Sequence, residues 1–325
     1  LRLGHRASRD SAPAARLRAE GAIILAKTNT PEFLAHYESD NHLTGRTNNP
    51  WNPSRTAGGS SGGEAAAIAS FCSPGGVGSD GGGSVRWPAH ACGIAALKPT
   101  PGRVPATGHW PLIHHPGGLL GVAGPMARSA ADLRLLFEVL ALHDPLDPFS
   151  APVPPLSFPT ADLRIGVAEQ FYNVPVQPAI AEAVRQCTRV LEQDLRIPTE
   201  PFLPSGLERS PNLWSFFFSD LPAPGLQAFL AGRESDAHWT GTEFLHLALQ
   251  RPTPTAQQVV EALGQRDALR ASLIEQMDRF PVLLWPAAGA EAFPHRERSF
   301  PTASKPSRLF ELTMPLTPWN LLGFP

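Results

Sequence analysis

The sequence is poor in lysine and cysteine, and each shortage narrows the chemistry open to it. Three of its 325 residues are lysines (Lys27, Lys98 and Lys305), so any mechanism that needs a lysine has few candidates. The three cysteines, at positions 72, 92 and 187, have neither the spacing of a metal motif nor the number that a disulfide framework needs. We therefore expect reduced, mostly buried thiols, no metal site, and a cytoplasmic protein.

Charge is also scarce, and long apolar runs are lacking. Acidic and basic residues make up 17% of the chain and leave a net charge of −2, which gives no electrostatic reason to bind nucleic acid. No apolar run approaches the ~20 residues of a membrane-spanning helix. Hydrophobic residues still reach 42%, enough for a sizeable core, which argues against disorder. We expect a folded chain with no nucleic-acid partner and no membrane span.

Strand-like and helix-like segments alternate along the chain. Short apolar runs predict buried strands at residues 22–26, 163–167 and 282–285. Capping residues and apolar periodicity predict helices after Asp10 or Ser11, over Glu64–Ser70, after Ser129, over 180–191 and through most of 212–280. Because strand–helix units of this kind are typical of α/β folds, we predict that class.

Two serines lie in two glycine-rich loops. Ser60 belongs to the run at 58–63 (GGSSGG), and Ser84 follows the glycines at 81–83. Glycine lets backbone N–H groups approach a ligand closely, and consecutive N–H groups can form an anion-binding nest. A nest beside a serine hydroxyl is suited to serve as an oxyanion hole with its nucleophile.

The first loop could also be a linker, a phosphate-binding loop or a nucleophile elbow. A flexible linker has similar composition, but the helix-forming run that follows, and Asp80 and Arg86 in the second loop, are not needed in a linker. A phosphate-binding loop is not favoured, because the sequence contains neither the Walker pattern nor a dinucleotide-binding fingerprint. The nucleophile elbow of α/β hydrolases requires a hydrophobic strand just before it, whereas residues 52–57 read NPSRTA.

The two loops sit within a longer series of motifs. These are GRTNNPWNP at 45–53, GGSSGGE at 58–64, GSDGGGSVR at 78–86, LKPT at 97–100 and GRVP at 102–105, with weaker matches at 21–29 and 317–323. Together they resemble the amidase signature family, in particular bacterial amidases and fatty-acid-amide-hydrolase-like enzymes. The resemblance implies an α/β/α fold around a mixed β-sheet core flanked by helices, incomplete here at both termini.

The resemblance also implies a domain plan. Residues 1–325 would form one amidase-like domain. Within it, residues 1–143 hold the signature core, 144–161 form a Pro-rich connector, and 162–325 add a strand–helix unit and a mostly helical specificity region.

By motif, the resemblance makes Ser84 the nucleophile and Ser60 a bridging serine held in a cis peptide. The backbone N–H groups of Gly81, Gly82, Gly83 and Ser84 would form the oxyanion hole. Ser61, Ser79 and Asp80 would support the loops. The implied reaction is hydrolysis of the C–N bond of a small-molecule amide, with no cofactor and no metal; the oligomeric state is left open.

The base of the implied Ser–Ser–Lys triad is the missing part. In the family this lysine lies well upstream of the strand at 22–26, so we expect it before Leu1. We predict that none of Lys27, Lys98 and Lys305 reaches Ser60. Two hypotheses therefore remain: an amidase whose lysine lies upstream, and an inactive fragment or degenerate homologue that at most binds a carbonyl ligand.

Several other residues are assigned structural roles. His90, His114 and His115 are interpreted as structural or surface histidines, Asp80 as a brace of the glycine turn, and Arg86 as a hydrogen-bonding fork. For the aromatic segment 214–218, an acyl-chain pocket and plain core packing both stay open.

Overall fold

The structure is a computed structural model, and it describes residues 4–113, 119–154, 163–300 and 309–325. The predicted mixed α/β class is confirmed. The helices are α1 (Ala12–Ala19), α2 (Gly62–Ala69), α3 (Arg86–Cys92), α4 (Ala130–Leu140), α5 (Pro178–Arg189), α6 (Ser210–Ser215), α7 (Ala223–Leu230), α8 (Trp239–Ala248), α9 (Ala256–Met277), α10 (Leu309–Thr313) and α11 (Thr317–Leu322). The strands are β1 (Asp40–Asn41), β2 (Gly45–Arg46), β3 (Gly75–Asp80), β4 (Ala95–Ala96), β5 (Val122–Ala127), β6 (Ile165–Val167), β7 (Thr199–Pro201) and β8 (Val282–Leu284).

The described strands form three small sheets. The pair β1–β2 is antiparallel, and β5 lies between β3 and β4 in a second antiparallel sheet. In the third sheet, β6 lies between β7 and β8 and pairs with both in parallel. Since parallel neighbours need a crossover, α5 connects β6 to β7, as the strand–helix pattern after residue 163 predicted.

The strand predicted at residues 22–26 is wrong. The segment forms no ladder with any described strand, and its side chains face solvent: Ile23 is 84% and Leu25 is 67% exposed. An apolar run becomes a strand only where another backbone satisfies its N–H and C=O groups. No such neighbour lies beside it in the described part of the chain.

The capped helices follow the sequence signals. Ser11 caps α1 by accepting a hydrogen bond from the Ala14 amide, and Ser129 caps α4 in the same way from Asp132. Most of residues 212–280 are helical, and α9 ends at Met277 as predicted. The predicted strand at 282–285 is present as β8, but it is partly exposed and not buried.

Strand β3 was not predicted, because half of its six residues are glycine. It pairs with β5 along its whole length, from Gly75 opposite Ala127 to Asp80 opposite Val122. A side chain at Gly76 would collide with Glu64 of α2, so glycine lets the helix lie directly on the strand. This packing brings the start of α2 beside the end of β3.

Two apolar clusters support the loops at these ends. Behind the first loop, Ile68 of α2, Ala89 of α3 and Met126 of β5 are buried together. A larger cluster joins Trp214 of α6 and Leu273 of α9 to α11. The two glycine-rich loops therefore rest on rigid elements.

The prediction that most of the thiols are buried is wrong, because one of the three is buried. All three cysteines are free. Cys92 is buried, whereas Cys72, just after α2, and Cys187, in the last turn of α5, are exposed. Among the described residues, no helix combines the length and apolar character that crossing a bilayer requires. The same residues contain no cluster of three or more histidine, cysteine or acidic side chains placed to hold a metal ion.

Candidate active site

The two predicted serines lie in loops that the fold brings together. Ser60 precedes α2, and the peptide bond between Gly59 and Ser60 is cis, as the family resemblance implies. Ser84 lies between β3 and α3. The backbone amide of Ser61 donates a 3.0 Å hydrogen bond to the carbonyl oxygen of Ser84, which joins the loops directly.

The first loop is packed against the segment at 36–39. The hydroxyl of Ser39 donates to the Gly58 carbonyl at 3.0 Å and accepts from the Gly62 amide at 3.0 Å. A Cβ at Gly59 would lie 2.6 Å from the His36 carbonyl oxygen, so only glycine fits there. Sequence reasoning missed this segment, because it carries no motif of its own.

The two candidate hydroxyls are not engaged by other side chains. Ser60 is 1% exposed and Ser84 is half-buried. Within the described part of the chain, neither Oγ atom forms a hydrogen bond. Ser61 and Ser79, the predicted supporting serines, contact each other: the Ser79 amide donates to Ser61 Oγ at 3.3 Å.

Asp80 braces the second loop from inside. Its carboxylate accepts from the amides of Gly83 at 2.7 Å and Val85 at 3.1 Å, and from two guanidinium nitrogens of Arg86 at 3.0 and 2.9 Å. Burial alone would raise the pKa of this carboxyl, but Arg86 and the amide donors outweigh burial and hold it well below its usual range. The contacts agree with the interpretation of Asp80 as a brace.

Arg86 also ties the loop to the end of the chain. Its Nη1 donates to the Leu316 carbonyl at 2.9 Å and its Nη2 to Asn320 Oδ1 at 2.5 Å. Asn320 Nδ2 in turn donates to the Asp80 carbonyl at 2.9 Å. The arginine thus acts as the predicted fork, and Asn320 is a partner that the sequence motif contained without indicating its role.

The carbonyl oxygens of the glycine turn are all occupied. Trp214 Nε1 donates to the Gly81 carbonyl at 2.7 Å, and the Tyr37 hydroxyl donates to the Gly82 carbonyl at 2.8 Å. The amide of Trp87 donates to the Gly83 carbonyl at 2.6 Å.

The amides of the same turn differ from one another. The amide of Gly83 donates to the Asp80 carboxylate, whereas we expected it to be free as a donor of the oxyanion hole. The amides of Gly81, Gly82 and Ser84 donate to no other described residue. Three of the four expected donors thus have no partner among the described residues, and a carboxylate that the turn needs for its shape occupies the fourth.

Neither lysine in the described part of the chain forms a hydrogen bond with Ser60 or Ser84. Lys98 is buried, and its Nζ donates to the Pro99 carbonyl at 2.9 Å. Burial, aided by Arg86 and opposed by Asp80, lowers its pKa to about 7. Lys27 is exposed, neither lysine forms a hydrogen bond with Ser60, and Lys305 lies outside the described residues. That no lysine of this chain reaches Ser60 stays a prediction.

The other residues singled out from the sequence are the histidines and the aromatic segment at 214–218. His90 Nε2 lies 2.9 Å from the Ala290 carbonyl, and burial lowers the pKa of its imidazole. His114 and His115 lie outside the described residues. In the aromatic segment, Trp214 and Phe217 are buried in the core, and Phe218 stacks on Trp214 at 4.6 Å between ring centroids.

The structure thus links two glycine loops, each of which carries a serine, and three backbone amides of the second loop have no partner among the described residues. The model of the Amidase family matches residues 1–325, and the chain belongs to that family.

The chain is similar to proteins named as amide hydrolases and to an amidotransferase subunit. It is 42% identical to an indoleacetamide hydrolase from Bradyrhizobium diazoefficiens over 54% of this chain and 34% of that protein. It is 36% identical to a glutamyl-tRNA(Gln) amidotransferase subunit from Thermus thermophilus over 96% of this chain and 70% of that one. A solved structure of fatty acid amide hydrolase superposes with a TM-score of 0.83 at 27% identity, covering 96% of this chain and 54% of the other. The chain thus matches about a third of the length of that indoleacetamide hydrolase.

Proposed function

We propose that this chain carries the nucleophile and the oxyanion hole of an amidase that hydrolyses a small-molecule amide. Ser84 Oγ attacks the amide carbonyl carbon, and its proton passes to Ser60 Oγ as Ser60 gives its own proton to a base. The proton returns along this path to the leaving amine, and water then cleaves the acyl-serine ester. Each step needs the two hydroxyls close together and free of other partners.

The observation that carries the proposal is the joining of the two loops by the Ser61–Ser84 backbone hydrogen bond. It is supported by the amides of Gly81, Gly82 and Ser84, which have no partner in the described ranges, since such donors stabilise the charge that develops on the carbonyl oxygen. Gly83 contributes indirectly, because its bond to Asp80 holds the turn in shape.

The base is proposed to be a lysine outside this sequence, as the resemblance implies. A serine hydroxyl is a poor nucleophile until a base accepts its proton. Lys98 has a suitable pKa of about 7, but its Nζ is bonded to the Pro99 carbonyl and to neither serine. The competing hypothesis, an inactive relative that only binds a carbonyl ligand, is favoured by the same absence of a neighbouring base among the described residues.

A fluorophosphonate probe tests the nucleophile. The wild-type protein is expected to gain one adduct by intact mass, placed on Ser84 by peptide mapping, and Ser84→Ala is expected to gain none. Ser70→Ala is the matched control, because that exposed hydroxyl lies at the end of α2, outside both glycine loops, and bonds the Ala66 and Ala67 carbonyls and Cys72 Sγ. Because the proposed base lies outside these 325 residues, the labelling is done on the chain preceded by its natural upstream coding sequence. If that protein stays unlabelled, the amidase proposal is contradicted and the inactive alternative is supported.

Turnover is tested with a panel of amides. Indoleacetamide is included because one relative is named for hydrolysing it, with an anilide and a primary aliphatic amide beside it. The assay compares the 325-residue chain with the same chain preceded by its natural upstream coding sequence. Release of ammonia or aniline only from the longer protein is expected if the lysine lies upstream.

A further inference from the structure

Two aromatic side chains from distant parts of the chain hold successive carbonyls of the glycine turn. We propose that Trp214 and Tyr37 are positioning residues of the turn: Trp214 aims the Gly82 amide at the substrate oxygen, and Tyr37 holds the next peptide group so that its Gly83 amide meets Asp80. The inference rests on the proposed amidase function, and it concerns residues that touch the turn and not the reacting atoms.

In a planar trans peptide group, the C=O of one residue and the N–H of the next point in opposite directions. Trp214 Nε1 fixes the Gly81 carbonyl at 2.7 Å, so the Gly82 amide must point away from the indole. Tyr37 fixes the Gly82 carbonyl at 2.8 Å, which sends the Gly83 amide to Asp80 Oδ1 at 2.7 Å. The two donors therefore set the directions of two successive amides.

Such external donors matter because the turn is built of glycine. A glycine peptide can rotate into conformations closed to other residues, so the sequence itself does not keep Gly81 and Gly82 in one orientation. Hydrogen bonds from rigid side chains supply that constraint.

Both aromatic side chains are themselves fixed. Trp214 is 3% exposed, and Phe218 stacks on its ring. Tyr37 is also 3% exposed, and its carbonyl accepts from Trp87 Nε1 at 2.9 Å. Burial raises the pKa of the Tyr37 phenol, so it stays a neutral donor at physiological pH.

The variant Trp214→Phe removes one donor and keeps an aromatic ring in the core. The matched control is Trp285→Phe, since Trp285 packs against the same cluster, contacts Phe171 and Trp319, and forms no hydrogen bond with the turn in the described part of the chain. We expect Trp214→Phe to lower the maximal rate of phosphonate labelling at Ser84 about tenfold, less than the 10²–10³ of deleting an oxyanion donor. The half-saturating probe concentration should stay unchanged. A general loss of packing would change both the maximal rate and this concentration.

An NMR experiment that does not depend on catalysis reports directly on the Gly–Gly peptide groups of the turn. Glycine labelled with ¹³C at its carboxyl carbon and with ¹⁵N gives one-bond carbon–nitrogen cross-peaks only from Gly–Gly peptides, which lie at 58–59, 62–63, 75–76, 81–82, 82–83 and 117–118. The variant Gly81→Ala assigns the 81–82 peak by removing it. Trp214→Phe is expected to shift that peak, and Tyr37→Phe the 82–83 peak, while Trp285→Phe shifts neither.

The two measurements separate the possible failures. Equal shifts from Trp214→Phe and Trp285→Phe, or labelling of Trp214→Phe at the wild-type rate, would overturn the positioning role. Wild-type protein that is never labelled at Ser84 would instead contradict the amidase function, and the spectrum alone would then decide whether Trp214 orients the turn.

Discussion

The amide of Ser61 and the carbonyl of Ser84 are joined by a 3.0 Å hydrogen bond, and this contact sets the first glycine loop against the second. Each loop is fixed separately: the first by α2 and Ser39, the second by β3 and Asp80. The distance between the serine hydroxyls therefore depends on how these elements pack, and changes in the braces should act on both stability and chemistry.

Removal of the Arg86 charge should destabilise the protein strongly. Asp80 is fully buried and Arg86 is its ion-pair partner at 2.9 Å, so Arg86→Met leaves a buried carboxylate without its cation. Breaking a buried pair from one side costs about 3–5 kcal/mol. The free energy of unfolding, measured by urea denaturation, should fall by about that amount.

The matched control for this loss is Arg134→Met. Arg134 pairs with Glu138 on the surface of α4, with 82% of its side chain exposed, where ion pairs contribute little. Equal losses from the two variants would show that Asp80 does not depend on Arg86.

Parts of the fold and site follow from local sequence, and other parts do not. Helix caps and the glycine–serine motifs have local signatures, and the caps at Ser11 and Ser129 are present in the structure. The donors Tyr37 and Trp214 are 45 and 133 residues from their acceptors. No local pattern encodes contacts of that separation, so they emerge only from the packed structure.

The two wrong or missed strands have a common physical cause. The run at 22–26 has strand-forming residues without a described partner strand, whereas Gly75–Asp80 has poor strand formers and a full-length partner in β5. Strand formation is decided by pairing and packing more than by intrinsic preference. The candidate nucleophile could be proposed from sequence because its loop carries a motif.

Acid should weaken the contact between α8 and the segment at 36–38. Burial would raise the pKa of Glu243, but His36, whose Nε2 lies 3.3 Å from Glu243 Oε2, and the hydrogen-bonding guanidinium of Arg298 lower it to about 2, from an ordinary 4.5. A depressed carboxyl pKa stabilises the fold above the ordinary value, and the stabilisation is lost as pH falls through the folded value. Urea denaturation should show a steeper fall in stability between pH 5 and pH 2 for wild type than for Glu243→Gln. Parallel pH profiles would contradict the assignment.

Two of the three thiols should react quickly with a disulfide reagent in the native protein. Cys72 and Cys187 are exposed, whereas burial raises the pKa of the Cys92 thiol to about 12. Because the thiolate is the nucleophile, Cys92 should react only after denaturation. Colorimetric titration at pH 8 should count two thiols, and Cys72→Ser should reduce the count to one. A third fast thiol would show that Cys92 is accessible.

Alkaline pH should stabilise the fold through Lys98. This lysine is 2% exposed, and burial, followed by the Arg86 charge, lowers its pKa from 10.5 to about 7 although Asp80 opposes the shift. Between those two values the unfolded chain binds a proton that the folded chain has released, so stability rises with pH, by at most about 1.4 kcal/mol per unit. Urea denaturation from pH 7 to pH 8.5 should show this rise in wild type. Lys98→Met removes the titrating amine while keeping most of its apolar length, so its profile should be flat over the same range. A wild-type profile as flat as that of the variant would mean that the buried amine keeps its proton, held by the Asp80 carboxylate.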